Sequence, residues 1–269
     1  MMDHTVSFEK FGFSKRLKSM LKVDFKRMFR SRLFYILLAC ALVMPVLMTV
    51  MMSMMDGTVS VDPQTGKESV MVGPENTWQN IGTLPGDPLG GDEIFMMCNI
   101  NMAFMGVAVF ICLFIADDFR SGYAKNLFTV RAKKGDYVIS KTLAGFVCGA
   151  LMLTVYFIGA VLGGAISDLS FDLHGLTALN LVMCMLAKIL LMPVFVSIFT
   201  LISVAAKQKA WLAICGSLGG GMLLFMTVSM ITPLSAGVIH VLLCLVGGIL
   251  FAAGLGAISN AVLKKTSLV

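Results

Sequence analysis

Apolar and charged residues in this chain are segregated into blocks instead of alternating. Residues 33–55 run 23 positions without a charge, 94–116 another 23, and 142–167 a further 26. Residues 175–206 give 32 positions with Lys188 as the only charge, and 210–263 give 54 with no Lys, Arg, Asp or Glu. About 20 apolar residues cross a bilayer core as a helix. Each run is continuously apolar, which fits helices and not the alternating strands of a barrel. The last run is too long for one span, and Pro233 and Gly237 offer a break within it. The pattern predicts an all-α polytopic membrane protein with six transmembrane helices in the region 33–269, near 33–55, 94–116, 142–167, 178–206, 210–231 and 238–263.

Two further helices are predicted outside these spans. In the leader, residues 1–32, Phe13, Leu17, Met20, Leu21, Phe25 and Met28 recur at helical spacing, and Lys15, Arg16, Lys18, Lys22, Lys26 and Arg27 fill the other face. Such a basic amphipathic helix suits the surface of an anionic leaflet. In the 117–141 loop, Phe119, Tyr123 and Leu127 lie four apart and share a helical face. Asp118 is expected to open this helix, where a carboxylate suits the dipole. The segment reads either as a docking helix for a partner groove or as a plain loop carrying topology cations.

Composition narrows the class. Of 269 residues, 58% are apolar and 13% charged, against about 25% charged in soluble domains. Mean hydropathy is +0.89. Soluble, disordered, collagen-like and coiled-coil classes are excluded. The net charge of +6 is a matter of topology. Residues 1–32 hold nine Lys/Arg and the 117–141 loop six; Lys207, Lys209, Lys264 and Lys265 follow on the same side, which gathers 19 of 21 cations. The opposite loops hold Lys67 and nine carboxylates. This positive-inside pattern puts both termini in the cytoplasm and the 56–93 loop outside. No cleavable signal peptide is expected; the first span is expected to stay as an anchor.

The segment after the second span carries a resemblance. Asp118-Phe119-Arg120-Ser121-Gly122-Tyr123-Ala124-Lys125-Asn126-Leu127, followed by Tyr137-Val138-Ile139-Ser140-Lys141 leading into the third span, resembles the permease subunits of compact six-helix ATP-binding-cassette (ABC) exporters, the ABC-2-type permeases. The basic leader, the larger external loop and the six-span layout are similar too. The resemblance implies a coupling helix over 118–130 that docks on a separate ATPase subunit. Asp118, Arg120, Gly122 and Lys125 would be its polar frame, and Phe119, Tyr123 and Leu127 its docking or anchoring face. It also implies a second permease copy or paralogue, a bacterial cell membrane, ATP and Mg bound by the partner alone, and a cargo such as an amphipathic peptide, toxin or drug. Family members often carry a re-entrant external helical pair before the last span; here only a short break near Pro233 is visible.

Gly66-Lys67 is no phosphate loop, because Val61 stands where the first glycine belongs and Glu68 follows the lysine. No ATP hydrolysis by this chain, no cofactor and no nucleic acid are expected. Lys188 is costly in mid-span, about 2.5–3.5 kcal/mol on insertion scales. It either faces a central cavity on the substrate pathway or snorkels to an interface. Asn99 and Asn101 either bond between helices or contact substrate. Gly145, Gly149, Gly159 and Gly163 form two G-x-x-x-G steps in the third span, and Gly216 and Gly220 form one in the fifth. Methionines cluster at the outer end of the first span, as flexible packing, an adaptable surface or a thioether site for Cu(I). The seven cysteines lie in apolar runs with no CxxC pair, and no histidine has ligand spacing, so no metal site is expected. The alternative to a permease is a self-contained carrier or channel. Carriers usually show internal repeats and intramembrane carboxylates, and neither is found.

Overall fold

Charge-free runs become long helices because a backbone in hydrocarbon must satisfy its own hydrogen bonds. The computed structural model describes residues 12–61, 68–70, 72–84, 99–130 and 134–265. Leader residues 1–11, most of the external loop beyond 84, and Arg131 and Lys133 lie outside the described residues. Eight α-helices are described: α1 Phe13–Arg30, α2 Arg32–Met55, α3 Met102–Arg120, α4 Tyr123–Val130, α5 Lys134–Ile166, α6 Ala178–Ala206, α7 Ala210–Ile231 and α8 Val238–Lys265. A small antiparallel hairpin pairs β1 Val59–Val61 with β2 Glu68–Val70, Ser60 opposite Ser69. The protein is an all-α membrane protein. Helices α2, α3, α5, α6 and α8 are long and apolar enough to cross a membrane, by length and composition; in α7 the corresponding stretch, Ala210–Phe225, is shorter.

Helix α3 is the most enclosed, packed on α5, α6 and α7. Phe104, Val107, Phe110, Ile111 and Ile115 are all fully buried along it. Helix α8 lies at the edge against α6 and turns Leu242, Leu243, Ile249 and Leu250 outward. Helices α2 and α5 approach closely where α5 has glycine. A Cβ on Gly159 would run into the Leu42 carbonyl, and one on Gly163 would come within 3.1 Å of Val46 Cα. The G-x-x-x-G spacing thus serves backbone-to-backbone packing. In α7, Gly219 meets nothing within 4 Å.

Several expected boundaries change. The 117–141 segment is not a loop flanked by spans. Helix α3 continues to Arg120 and α5 begins at Lys134; Asp118, Asp136 and Lys141 at these ends are buried in ion pairs, while Asp117 and Arg120 stay exposed. Asp118 does not open the short helix; it sits in the last turn of α3. The short helix covers 123–130 and follows Gly122, whose φ of +74° gives the turn that separates the two helices. Of the second span, expected from 94, residues 94–98 lie outside the described residues; the described part is helical from Met102, and Asn99 Oδ1 accepts from the Asn101 N–H at 2.9 Å just before it. Between α7 and α8 runs only the connection 232–237, so no re-entrant helical pair stands there.

The ends of the bundle differ in chemistry. One end gathers the α1 cations, α4, the start of α5, the 207–209 turn and Lys264 and Lys265 of α8; Lys134 Nζ donates to the Leu263 carbonyl at 2.7 Å across it. At the opposite end, residues 72–84 strap the helices together. A 3-10 turn Thr77–Asn80 is capped by Asn76. Trp78 Nε1 donates to the Phe171 carbonyl at 3.0 Å, Asn76 Nδ2 to Asp172 O at 2.6 Å, and Asn80 Nδ2 to Thr49 Oγ1 of α2 at 3.0 Å.

Candidate functional site

At the basic end lies a charged cluster in which Asp24, Asp118 and Lys141 are enclosed and Arg27 is half-buried. Helix α1 supplies Asp24 and Arg27, on the face that also buries Met20 and Met28. Helix α3 supplies Asp118 and α5 supplies Lys141, both fully buried. Lys141 Nζ lies 2.7 Å from Asp24 Oδ1 and 2.7 Å from Asp118 Oδ2. Arg27 pairs with Asp118 Oδ1 and, through its other amine, with Asp117 at 3.3 Å. The remaining acceptor positions are taken as well. Ser140 Oγ donates to Asp24 Oδ2 at 2.5 Å, and Tyr137 Oη to Asp118 Oδ2 at 2.9 Å. Aromatic rings complete the enclosure: Lys141 Nζ stands 3.9 Å from the Phe114 ring centroid, and Arg27 lies over Phe114 and Tyr123. Outside the knot, Arg16 pairs with Asp136 at 2.8 Å, a second tie between α1 and α5.

Charge compensation explains why such a cluster survives burial. Two cations meet two enclosed carboxylates, and every oxygen of Asp24 and Asp118 has a donor. Burial works against the charge on Arg27, but the carboxylates of Asp118 and Asp24 outweigh it, so its pKa rises above the ordinary arginine value. Losing one member would leave a buried charge without its partner, the expensive case. The cluster therefore fastens α1, α3 and α5 together at one point, and Tyr123 brings in the start of α4.

The residues predicted for the 118–130 segment separate into two groups. Asp118 and Phe119 are buried, and Tyr123 and Leu127 are half-buried toward the bundle, with Leu127 packed against its core. Arg120 and Lys125 are exposed, as are Asn126 and Thr129, and Gly122 makes the turn. The apolar face of α4 thus anchors inward and its polar face is presented outward. Asp24, the knot's second carboxylate, was not singled out from sequence. It carries a signal: it is the only carboxylate between Lys10 and Arg32, and it falls on the apolar face of that helix, four residues from Met20 and four from Met28.

Lys188 is a different kind of buried lysine. It lies ten residues into α6, roughly 15 Å from that helix's start. Helical side chains lean toward the N-terminus, which carries the ammonium toward the end opposite the knot. There Lys188 Nζ donates to Asn101 Oδ1 and to Thr232 Oγ1, each at 3.0 Å. Asn101 precedes α3 and Thr232 ends α7, so the lysine links three helices. Asn101 Nδ2 also donates to Ser229 Oγ at 2.9 Å. Lys188 is fully buried and has no carboxylate partner among the described residues. Asn99 is buried beside the same corner. Nearby, a cavity of about 130 Å³ between α2, α3 and α5 is lined by Met44, Met48, Met102, Met152, Cys40 and Tyr156; it does not include Lys188.

Five helices long and apolar enough to cross a membrane mark a multi-pass membrane protein. Comparison with known families makes this specific: the sequence model described as ABC-2 family transporter protein matches residues 20–222. The chain belongs to that family, as the permease subunit of an ABC transporter, a type of subunit that works with an ABC ATPase. Comparison with curated proteins and with solved structures returns no match.

Proposed function

We propose that this chain is the transmembrane half of an exporter, that its basic end faces the cytoplasm, and that α4 is the element an ATPase subunit pushes. The observation that carries this reading is the knot of Asp24, Arg27, Asp118 and Lys141 directly beneath α4. A force applied to the exposed Arg120 and Lys125 side would reach α1, α3 and α5 together through that joint. Two such chains, or one with a paralogue, would form the path, with the six-span layout of the sequence pattern. ATP and Mg belong to the partner, and this chain hydrolyses nothing itself. Lys188, Asn99 and Asn101 belong to the pathway, closed in this conformation and opened when α3, α6 and α7 part. The methionine-lined outer half supports an amphipathic peptide, toxin or drug as cargo.

The test is co-purification from cells making both the chain and its ATPase. Wild type is expected to retain the ATPase. Arg120→Glu with Lys125→Glu is expected to lose it while the permease keeps its thermal stability. Retention of the ATPase by that double variant would sink the coupling assignment. Sustained cargo pumping by the reconstituted chain alone would overturn the permease reading as a whole.

A further inference from the structure

A second cavity, of about 250 Å³, lies at the basic end beside the knot, where the α1–α2 elbow meets the end of α3 and the start of α7. Its lining changes character with depth. Leu33, Phe110 and Leu113 form the apolar part, while Ser31, Asp117 and Arg120 lie at the helix ends. Phe110 is seven residues before Asp117, about 10 Å deeper along α3. The surroundings are basic. Arg30 and Arg32 flank Ser31 in the chain, and Lys209 directly precedes Ala210, which lines the cavity. The 207–209 turn is held to this place because Gln208 Nε2 donates to the Phe119 carbonyl at 3.4 Å. Among the described residues none of Arg30, Arg32, Arg120, Lys207 and Lys209 makes an ion pair. Asp117, the one carboxylate in the lining, is already paired with Arg27. Helix α7 starts here without a side-chain cap, so its positive dipole end adds to the field. Trp211, 67% exposed, stands in its first turn, the kind of ring that settles at headgroup level.

We propose that this cavity binds an anionic phospholipid, its phosphate held by Arg120, Lys207 and Lys209 and its first acyl carbons against Leu33 and Leu113. Unpaired cations above an apolar cleft at the end of membrane helices match a molecule that is anionic at one end and greasy at the other. A soluble anion would use the cations and leave the cleft unfilled. The site shares Arg120 with the proposed ATPase contact but rests on separate observations, and the variants below leave Arg120 in place.

Trp211 provides the probe. The full chain carrying Trp78→Phe has Trp211 as its only tryptophan and is reconstituted into vesicles of phosphatidylcholine and phosphatidylglycerol, with either lipid brominated in turn. Brominated phosphatidylglycerol is expected to quench Trp211 with a preference on the order of ten-fold over brominated phosphatidylcholine. Lys207→Gln with Lys209→Gln should bring the preference close to unity. Lys264→Gln with Lys265→Gln, removing two cations at the same end but on α8, should leave it intact. Inorganic phosphate at millimolar concentration should not compete; full competition would show a free-anion site and overturn the lipid assignment. Equal quenching by the two lipids in the parent protein would also overturn it, leaving the cations for an acidic protein surface. An equal fall in both lysine pairs would reduce the effect to general surface charge and refute a site.

Discussion

Lys141 and Lys188 are both fully buried in one chain, and their surroundings differ in kind. Lys141 sits between two carboxylates, with a tyrosine, a serine and an aromatic face completing the shell. Lys188 has two neutral oxygens, at 3.0 Å each. The first environment neutralises the ammonium and would resist rearrangement, because moving any member strands a charge. The second holds an ammonium by hydrogen bonds alone, with no countercharge among the described residues to fix one arrangement. A transporter has use for both: a joint that stays rigid while force passes through it, and a cation that can exchange its partners as helices separate. The knot is therefore the mechanical part and the Lys188 corner the movable part of the proposed mechanism.

The largest effect should come from the joint. Asp118→Asn removes the charge that faces both Arg27 and Lys141, and the loss of folding stability is expected to be about 3–5 kcal/mol. Thermal unfolding of the detergent-solubilised protein would show it as a large fall in Tm. A change within about 0.5 kcal/mol, as for an ordinary surface site, would mean that the knot is not the rigid element and would erase the contrast with Lys188.

A smaller effect sharpens the same point. Asp24→Asn and Lys141→Met, separately and together, form a double-mutant cycle across α1 and α5. A coupling of about 1–3 kcal/mol is expected, since the two groups touch directly at 2.7 Å. Strict additivity would indicate that α1 is held by Met20, Met28 and the Arg16–Asp136 pair instead. Comparable in size, Gly159→Ala should destabilise by about 1–3 kcal/mol, because its methyl meets the Leu42 carbonyl and Pro45 and α2 must move away. Gly219→Ala, in open space, should not, and equal stabilities for the two variants would contradict the α2–α5 packing.

The helices were legible because hydrocarbon imposes a length and forbids charge, and both conditions are local in sequence. The apolar blocks located α2, α6, α7 and α8 to within a few residues. The helix ends within 117–141 were not legible for the same reason. Lys141 counted as a loop cation, since its partners cannot be seen locally; Asp24 and Lys141 are 117 positions apart. A carboxylate beside a short helix suggested a dipole cap, whereas Asp118 ends the previous helix and binds two cations. Lys188 was visible as an anomaly, but its partners lie at the ends of two other helices, and end-to-end meeting has no signature in any one segment. The external strap was missed altogether, although Trp78, one of two tryptophans in the chain and set in a polar loop, marked it.

The smallest effect on stability, and the most informative one for mechanism, should come from Lys188→Leu. Removing the amine takes a hydrogen bond from Asn101 Oδ1 and another from Thr232 Oγ1, which by itself would cost about 1–3 kcal/mol. It also removes a desolvated ammonium with no countercharge among the described residues, and replacing buried charge by apolar bulk is often neutral or favourable. Asn101 keeps its bond to Ser229, and Thr232 keeps its bond to the Val228 carbonyl. The opposing terms leave a net change of about 1 kcal/mol or less, so the variant should fold and still bring down its ATPase. Cargo export, read as survival of cells challenged with a panel of amphipathic peptides and drugs, should nevertheless change. Lys188→Arg would separate charge from shape: if the positive charge matters in the open state, the arginine variant retains more export than the leucine one. A large stability loss in Lys188→Leu would make this lysine a second structural joint. Normal export in a well-folded Lys188→Leu protein would take it off the pathway and leave the corner as packing alone.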